Sequence, residues 1–235
     1  MKNGFAVFFG SFTLIRRDPM LLLLLFAPFF AGAALYFGLP LLAGLLLSAF
    51  RFDLTPWYAL TDMMFLMMTP MMAGMLCGFL MLDERDEGVG VYYAVTPLGG
   101  AGYLFSRLVL PVLWSIALAP VLMLLFSLSH PELLRVLAIA VTGGLFGASC
   151  AMLLLAFARN KVEGLAVSKI MGLLMLPVIL PFITDSPWGL LAGLFPAYRM
   201  GALMKGPLYL FPAGLLVSAA WLIYLYRQTG KRNGT

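Results

Sequence analysis

The sequence has few charged residues, and this scarcity decides its class. Of 235 residues, 11% are charged and 63% are hydrophobic, whereas soluble domains have about 25% charged and about 45–50% apolar residues. A soluble fold of this length cannot bury so much apolar surface in one core. The composition therefore excludes a soluble enzyme, a disordered chain and, despite a net charge of +5, a nucleic-acid-binding domain. We predict a protein that uses the lipid bilayer as its solvent.

Residues that carry metal, redox or hydrolytic chemistry are also scarce. The chain has one histidine, His130, and two separated cysteines, Cys77 and Cys150, which provide neither a disulfide framework nor zinc-ligand spacing. Haem ligation inside the bilayer needs histidines there, and Ser149 has no histidine to activate it. No G-x-x-x-x-G-K-S/T motif occurs. We therefore predict no cofactor, no metal and no ATPase chemistry in this chain.

Uncharged runs divide the chain into segments that can cross a bilayer. A membrane helix needs about 20 apolar residues for a hydrocarbon core of about 30 Å. Six runs qualify, the fifth if it starts near Gly164 with Lys169 at the interface. The fold class predicted is an all-α membrane protein with one transmembrane domain over residues 1–235. Its spans are 20–50, 63–82, 108–129, 136–158, 165–184 and 206–226.

Two of these runs contain features that predict their packing. Gly38-Leu39-Pro40 is expected to tilt, kink or end the first run, which is longer than a crossing needs. In the fourth run, small residues favour close helix packing: Gly143, Gly144, Gly147 and Ala148. The methionine-dense second run, 63–75, indicates either a promiscuous apolar binding surface or ordinary core packing.

The distribution of Lys and Arg predicts the orientation. With six spans, 11 of the 15 basic residues fall on one side, and Arg51, Arg135, Arg199 and Lys205 fall on the other. Cytoplasmic loops carry the excess of Lys and Arg, so both termini are predicted to be cytoplasmic. The middles of the six runs contain no Asp, Glu, Lys, Arg or His, which argues against a proton- or ion-coupled transporter.

The first 17 residues are predicted to form an amphipathic helix in the cytoplasmic interface. Its apolar residues fall on one helical face: Phe5, Phe8, Phe9, Phe12 and Ile15. A cleaved signal peptide would instead have a continuous apolar core. Arg16 and Arg17 are placed to touch anionic head groups. Asp18 and Pro19 suit the N-cap and first position of the first span.

The cytoplasmic loop 83–107 concentrates polar chemistry. It opens with the acidic run Asp83–Glu87, which opposes the dipole of the preceding helix and is either a solvated helix extension or an element that docks or gates a basic partner. Thr96-Pro97 then signals a helix start, and a short, partly apolar helix in such a loop needs a groove on another protein. The second cytoplasmic loop, 159–164, is typical of a compact turn.

The segment 185–205 is predicted to form one or two short external helices, interfacial or re-entrant. Pro187, Gly189, Gly193 and Pro196 interrupt it, so it is too short and too broken to span. Non-helical backbone at membrane depth has to be covered by protein or line a wet cavity.

Taken together, these features resemble one family of transport proteins. They occur in this order: Arg16-Arg17-Asp18-Pro19 after the amphipathic helix, Glu84-Arg85-Asp86-Glu87-Gly88 in the first cytoplasmic loop, then Thr96-Pro97-Leu98 and Arg107, and Ala158–Gly164 after the fourth span. Over essentially its whole length, the chain resembles the membrane permease subunits of type 2 ABC exporters, especially small bacterial drug-export permeases.

The resemblance implies a location and partners. The chain would lie in the bacterial plasma membrane as a multi-pass protein in contact with lipid. It would pair with a second permease, either a copy of itself or a homologue, and dock two ATP-binding cassette subunits. Those subunits would bind ATP and Mg, whereas this chain would hold no cofactor and bind no nucleic acid.

The resemblance also implies roles for individual residues. The interfacial elbow would end at Arg16 and Arg17. The coupling helix that enters the ATPase would comprise residues 96–107, with Thr96, Pro97, Leu98, Tyr103 and Arg107. The charged gate beside it would comprise Glu84, Arg85, Asp86 and Glu87. The external segment 185–205 would cap the exit.

The uncharged span interiors favour a lipophilic substrate, such as a drug, over a polysaccharide. Within transport, the alternative is a permease for haem, a lipid or a peptide. Outside transport, the alternative is a membrane assembly factor that only binds partners. A membrane enzyme is disfavoured, because the runs lack histidines and buried acids.

Overall fold

The computed structural model describes residue 16 and residues 18–88, 99–184 and 189–233. Within these residues every regular element is helical, and six helices are long and apolar enough to cross a membrane. The predicted all-α fold with six spans is therefore confirmed. The elements are α1 Pro19–Phe50, α2 Tyr58–Asp86, α3 Gly99–Phe126, α4 Leu133–Phe157, α5 Lys161–Met175, α6 Leu180–Ile183, α7 Gly189–Ala192, α8 Pro196–Lys205 and α9 Phe211–Asn233, with 3-10 turns at Thr55–Trp57, Leu176–Ile179 and Leu208–Leu210.

Helices α2 and α4 form the core of the bundle. Most of their residues are buried, whereas few residues of α1, α5 and α9 are buried. Helices α3 and α9 pack against α4, α1 packs against α2 and α3, and α5 packs against α2 and α4. Four methionines of the run 63–75 lie in this core, namely Met63, Met67, Met71 and Met75. Of the two interpretations of that run, the structure favours ordinary packing.

Glycines allow the two core helices to approach each other closely. A Cβ added at Gly74 of α2 would overlap the backbone of Gly147 in α4, and a Cβ added at Gly147 would overlap the carbonyl of Pro70. A Cβ at Gly144 would lie 2.8 Å from the Cα of Val112 in α3. Small residues let membrane helices pack backbone to backbone, so the packing role predicted for the small residues of α4 is confirmed at these glycines.

Helix α1 begins at the predicted cap and continues without a break. The Oδ1 atom of Asp18 accepts a hydrogen bond from the N–H of Met20 at 2.8 Å, as an N-cap residue does. The helix then continues through Pro28 and Pro40, so the 38–40 motif does not end it. Its 32 residues extend about 48 Å, more than a hydrocarbon core of about 30 Å requires. Helix α1 therefore either tilts or projects beyond the core.

Helices α2 and α3 extend further toward the acidic loop than the predicted spans. Helix α2 runs to Asp86 rather than 82, and α3 begins at Gly99 rather than 108. Residues 99–107 thus form the first turns of α3 and are not a separate helix. Tyr103 and Leu104 in these turns pack against the core, as the rest of α3 does. We call the end of the bundle that carries Asp18, Asp86 and Lys161 the acidic-loop end.

The segment after α6 is re-entrant. Phe195 stacks near Trp221 of α9, with ring centroids 5.9 Å apart, and lines a crevice together with Ser149. Ser149 is about 24 Å along α4 from Leu133, so the turn between α7 and α8 lies beyond the middle of the bundle. Helix α8 then returns to the end opposite the acidic loop, where Arg135 at the start of α4 donates to the carbonyls of residues 203, 204 and 206.

Candidate functional site

A buried ion pair joins α2 to α3 at the acidic-loop end. Nη2 of Arg107 contacts Oε1 of Glu84, and the hydroxyl of Tyr103 donates to Oε2 of the same carboxylate. The guanidinium carbon of Arg107 lies 5.6 Å from the ring centroid of Tyr103. The side chains of Arg107 and Glu84 are 3% and 6% exposed. Both charges are therefore removed from water and depend on each other for compensation.

A single lysine links three helices at the same end. Nζ of Lys161, in the first turn of α5, contacts Oδ2 of Asp18 and lies 2.7 Å from Oδ2 of Asp83. Asp18 caps α1 and Asp83 lies in the last turn of α2, so one ammonium group connects the ends of α1, α2 and α5. Asn160 fixes the position of this lysine, because it caps α5 by accepting the N–H of Glu163 at 2.9 Å.

The pKa of Asp18 is held below its ordinary value. The largest cause is the hydrogen bond from Lys161, which favours the carboxylate. Partial burial acts in the opposite direction, and the backbone N–H groups of Met20 and Leu21 reinforce the lowering. Asp18 therefore stays ionised while it performs two tasks, capping α1 and holding Lys161.

Arg85 connects the acidic run to the end of α4. Its two Nη atoms donate to the carbonyl oxygens of Leu155 and Ala158, each at 3.2 Å. The last carbonyls of a helix lack intrahelical partners and carry its partial negative charge. The guanidinium of Arg85 therefore satisfies carbonyls at the C-terminus of α4 and links α2 to that helix.

The remaining acids of the run face solvent. Asp86 and Glu87 are exposed, and Oδ2 of Asp86 accepts the N–H of Lys161 at 3.3 Å. The interpretation of the run as a merely solvated extension fits these two residues. It does not fit Glu84, which is buried, or Asp83, which is paired.

The predicted site residues are only partly within the described structure. Arg17 and the coupling residues Thr96, Pro97 and Leu98 lie outside the described residues. Arg16 is helical and exposed. Tyr103 and Arg107 are described, and they turn toward Glu84 of their own chain. Contact of the coupling segment with an ATPase stays a prediction.

Sequence reasoning missed the part played by Lys161 and Asp83. It interpreted 159–164 as a compact turn, whereas α5 already begins at Lys161, and it interpreted Asp18 correctly as a helix cap. The available signal was a basic residue at a helix start, within a loop on the same predicted side as two acidic positions. The sequence pattern does not show that these loops are in contact, because Lys161 is 78 positions from Asp83 and 143 from Asp18.

The sequence of the chain is similar to those of known transport proteins. A family model described as "Fluoroquinolones export permease protein Rv2686c-like" matches residues 11–226. The chain belongs to this family. Two relatives from Mycobacterium tuberculosis are each 31% identical over 186 residues, which cover 77% of this chain and 73% of theirs. They are the fluoroquinolones export permease protein MT2760 of strain CDC 1551 / Oshkosh and the fluoroquinolones export permease protein Rv2686c of strain ATCC 25618 / H37Rv.

No solved structure matches the chain significantly. The family match nevertheless includes the acidic-loop end and the re-entrant segment, since both lie between residues 11 and 226. Membership in a permease family agrees with a multi-pass membrane protein and with a transport subunit that is not itself an enzyme. Among the described residues, no group of His, Cys, Asp and Glu is arranged to hold a metal ion.

Proposed function

We propose that the chain is the permease subunit of an ATP-driven ABC exporter that moves a lipophilic, drug-like molecule out of the cytoplasm or the inner leaflet. The relatives are named as fluoroquinolone export permeases, and the apolar spans suit a substrate that partitions into lipid. The sequence has no phosphate-binding motif for ATP, so ATP and Mg would be bound by a partner subunit.

The observation that carries this proposal is the contact network at the acidic-loop end. The start of α3 is joined to α2 through Glu84 and Arg107. Helix α2 is joined to α1 and α5 through Asp83 and Lys161. A partner that binds near the start of α3 would therefore influence four spans. ATP binding by that partner would shift the population between states with different exposure of the substrate site.

The proposed partners come from the family that the chain belongs to. Two ATP-binding cassette subunits would dock at the acidic-loop end, which would face the cytoplasm of a bacterium with both termini, as the excess of Lys and Arg predicts. A second permease, identical or homologous, would complete the transporter. The exposed apolar faces of α1 and α5 are available to lipid or to that second permease.

Purification of the tagged chain in mild detergent, from cells that express its genomic neighbours, tests the proposal. We expect a P-loop subunit to co-purify and to show vanadate-sensitive hydrolysis of Mg-ATP. Inside-out vesicles that contain the complex should accumulate a fluorescent fluoroquinolone only when Mg-ATP is added. A chain that purifies alone and without ATPase activity would contradict the proposal and favour an assembly factor. Activity with haem, a lipid or a peptide instead of the drug would identify the alternative transport function.

A further inference from the structure

The charged contacts at the acidic-loop end differ in how deeply they are buried. The side chains of Arg107 and Glu84 are 3% and 6% exposed. In the lysine hub, which we define as Lys161 with Asp18 and Asp83, the side chains are 27%, 26% and 30% exposed. Separating a buried pair leaves its charges uncompensated, whereas water replaces the partner in a pair that is partly exposed. The lysine hub can therefore open far more easily than the Arg107–Glu84 pair.

The two carboxylates of the lysine hub are held differently. Oδ1 of Asp18 accepts the N–H groups of Met20 and Leu21 at 2.8 and 3.4 Å, while its Oδ2 contacts Lys161. Among the described residues, Lys161 is the one partner of the Asp83 carboxylate. A carboxylate already fixed by its helix cap loses little further rotamer freedom when it holds a lysine. The contact with Asp18 is thus the firmer of the two, and the contact with Asp83 is the one that opens first.

These contacts divide the helices into two groups. Asp18 and Lys161 join α1 to α5. The buried ion pair joins α2 to α3, and Arg85 joins α2 to α4. At this end, α5 is also bonded to α2 through the N–H of Lys161 and Oδ2 of Asp86, at 3.3 Å, which is longer than a typical hydrogen bond. Few residues of α1 and α5 are buried, as is usual for elements that move against a core.

We propose that the contact between Lys161 and Asp83 is a latch that regulates transport. When the latch is closed, α1 and α5 are held against α2, α3 and α4. When ATP binding by the partner opens it, Lys161 stays on Asp18, and α1 and α5 move together. The inference rests on the proposed export function. Because the closed latch stabilises one of the two states, it lowers the population of the state that hydrolyses ATP.

The ATPase rate of the complete complex without drug tests the latch. Asp83→Asn removes the charge and keeps the size, and we expect it to raise this rate about two- to fivefold, as loss of a partly exposed ion pair implies. Asp18→Asn still caps α1 and leaves Asp83 on Lys161, so it should not raise the rate. Glu132→Gln, at an exposed position at the other end of the bundle, removes one negative charge and serves as the control.

Salt distinguishes a latch from a merely structural role of Asp83. Salt screens ion pairs that are partly exposed. Raising the NaCl concentration from about 0.1 M to about 0.5 M should therefore bring the parent rate close to the rate of Asp83→Asn. A persistent difference at high salt would mean that the variant acts through packing and would overturn the inference.

Distances between spin labels test which helices move together. Leu23 of α1, Val162 of α5 and Arg227 of α9 are exposed sites for the labels, and α9 packs against α4. Labelled chains are diluted with unlabelled chains, so that each transporter carries one labelled copy. With Mg-ATP and vanadate, the distance between residues 23 and 162 should stay constant, whereas the distance between residues 162 and 227 should change.

Several results would overturn the latch while leaving the proposed function intact. An equal rise of the ATPase rate in Asp18→Asn and Asp83→Asn would assign the lysine hub to bracing the end of the bundle. An unchanged or lower rate in Asp83→Asn would also overturn it, as would a fixed distance between residues 162 and 227. If the parent complex hydrolyses no ATP, the proposed function itself fails, and the latch fails with it.

Discussion

Arg107 and Glu84 form an ion pair that is almost completely buried between α2 and α3. The pair holds the first turns of α3 against the core. It also links the position of these turns to Glu84, which belongs to the acidic run. A buried pair is a weak source of net stability, but it is costly to break on one side only.

We therefore predict that Arg107→Met lowers the free energy of unfolding by about 3–5 kcal/mol, because it leaves the Glu84 carboxylate buried without its cation. The double variant Glu84→Met/Arg107→Met should be more stable than the single variant. Thermal unfolding in detergent, followed by tryptophan fluorescence, measures both. Arg227→Met, at an exposed position of α9, is the control. If the double variant lost the sum of both single losses, the two residues would not be coupled.

The Asp18–Lys161 contact predicts a pH dependence. Because the pKa of Asp18 in the folded protein is lowered below its ordinary value of about 3.8, its contribution to stability is present above that pH. The contribution is lost as the pH falls below 3.8 and through the folded pKa. It should amount to about 1 kcal/mol or less, since the pair is partly exposed.

Asp18→Asn isolates this effect, because asparagine still caps a helix but carries no charge. We expect this variant to lose part of the stability near neutral pH and to show a smaller further loss under acid than the parent. Unfolding temperatures between pH 3 and pH 6 provide the measurement, with Glu87→Gln at an exposed site as the control. Parallel pH curves for the parent and Asp18→Asn would mean that the contact contributes nothing.

Local signals in the sequence predicted the local structure well. Asp18 and Pro19 predicted the start of α1, and the glycines of α4 predicted its close contact, since each depends on neighbours in the chain or on residue size. Charged residues marked the ends of the predicted spans, and those ends were only approximate. Helices α2 and α3 extend beyond the uncharged runs, because Glu84 and Arg107 form an ion pair in the interior.

Long-range placement could not be predicted in the same way. Lys161 is joined to Asp18 and Asp83 by tertiary packing, which no periodicity encodes. Arg199 was predicted to lie in a short external segment, interfacial or re-entrant, and hydropathy alone does not distinguish these two positions. The structure shows that the protein covers this turn, since the carbonyls of Gly193 and Leu194 accept from Arg199 and Trp221.

The contact between α2 and α4 predicts the effect of a single methyl group. Gly147→Ala would place a Cβ against the carbonyl of Pro70, which is backbone and cannot rotate away, so we expect a loss of about 1–3 kcal/mol. Gly172 on α5 has open space around it. Gly172→Ala should be neutral or stabilising by up to about 1 kcal/mol, since alanine favours the helix. Equal unfolding temperatures for the two variants would contradict the close approach.

Glu87 tests whether the acidic run has a role beyond holding the chain together. Unlike Glu84, it is exposed, so Glu87→Ala should leave the unfolding temperature and the recovery of the ATP-binding subunit unchanged. If the exposed end of the run transmits the partner's conformational change, the variant should transport less drug for each ATP hydrolysed. Co-purification, ATPase activity and vesicle uptake on one preparation measure these quantities together. Glu163, also exposed, is an unsuitable control because its carboxylate accepts the N–H of Arg159 just before α5, whereas Arg227→Ala preserves every described contact. Normal transport by Glu87→Ala would rule out a coupling role, because the change removes a charge without removing a structural contact of the described chain.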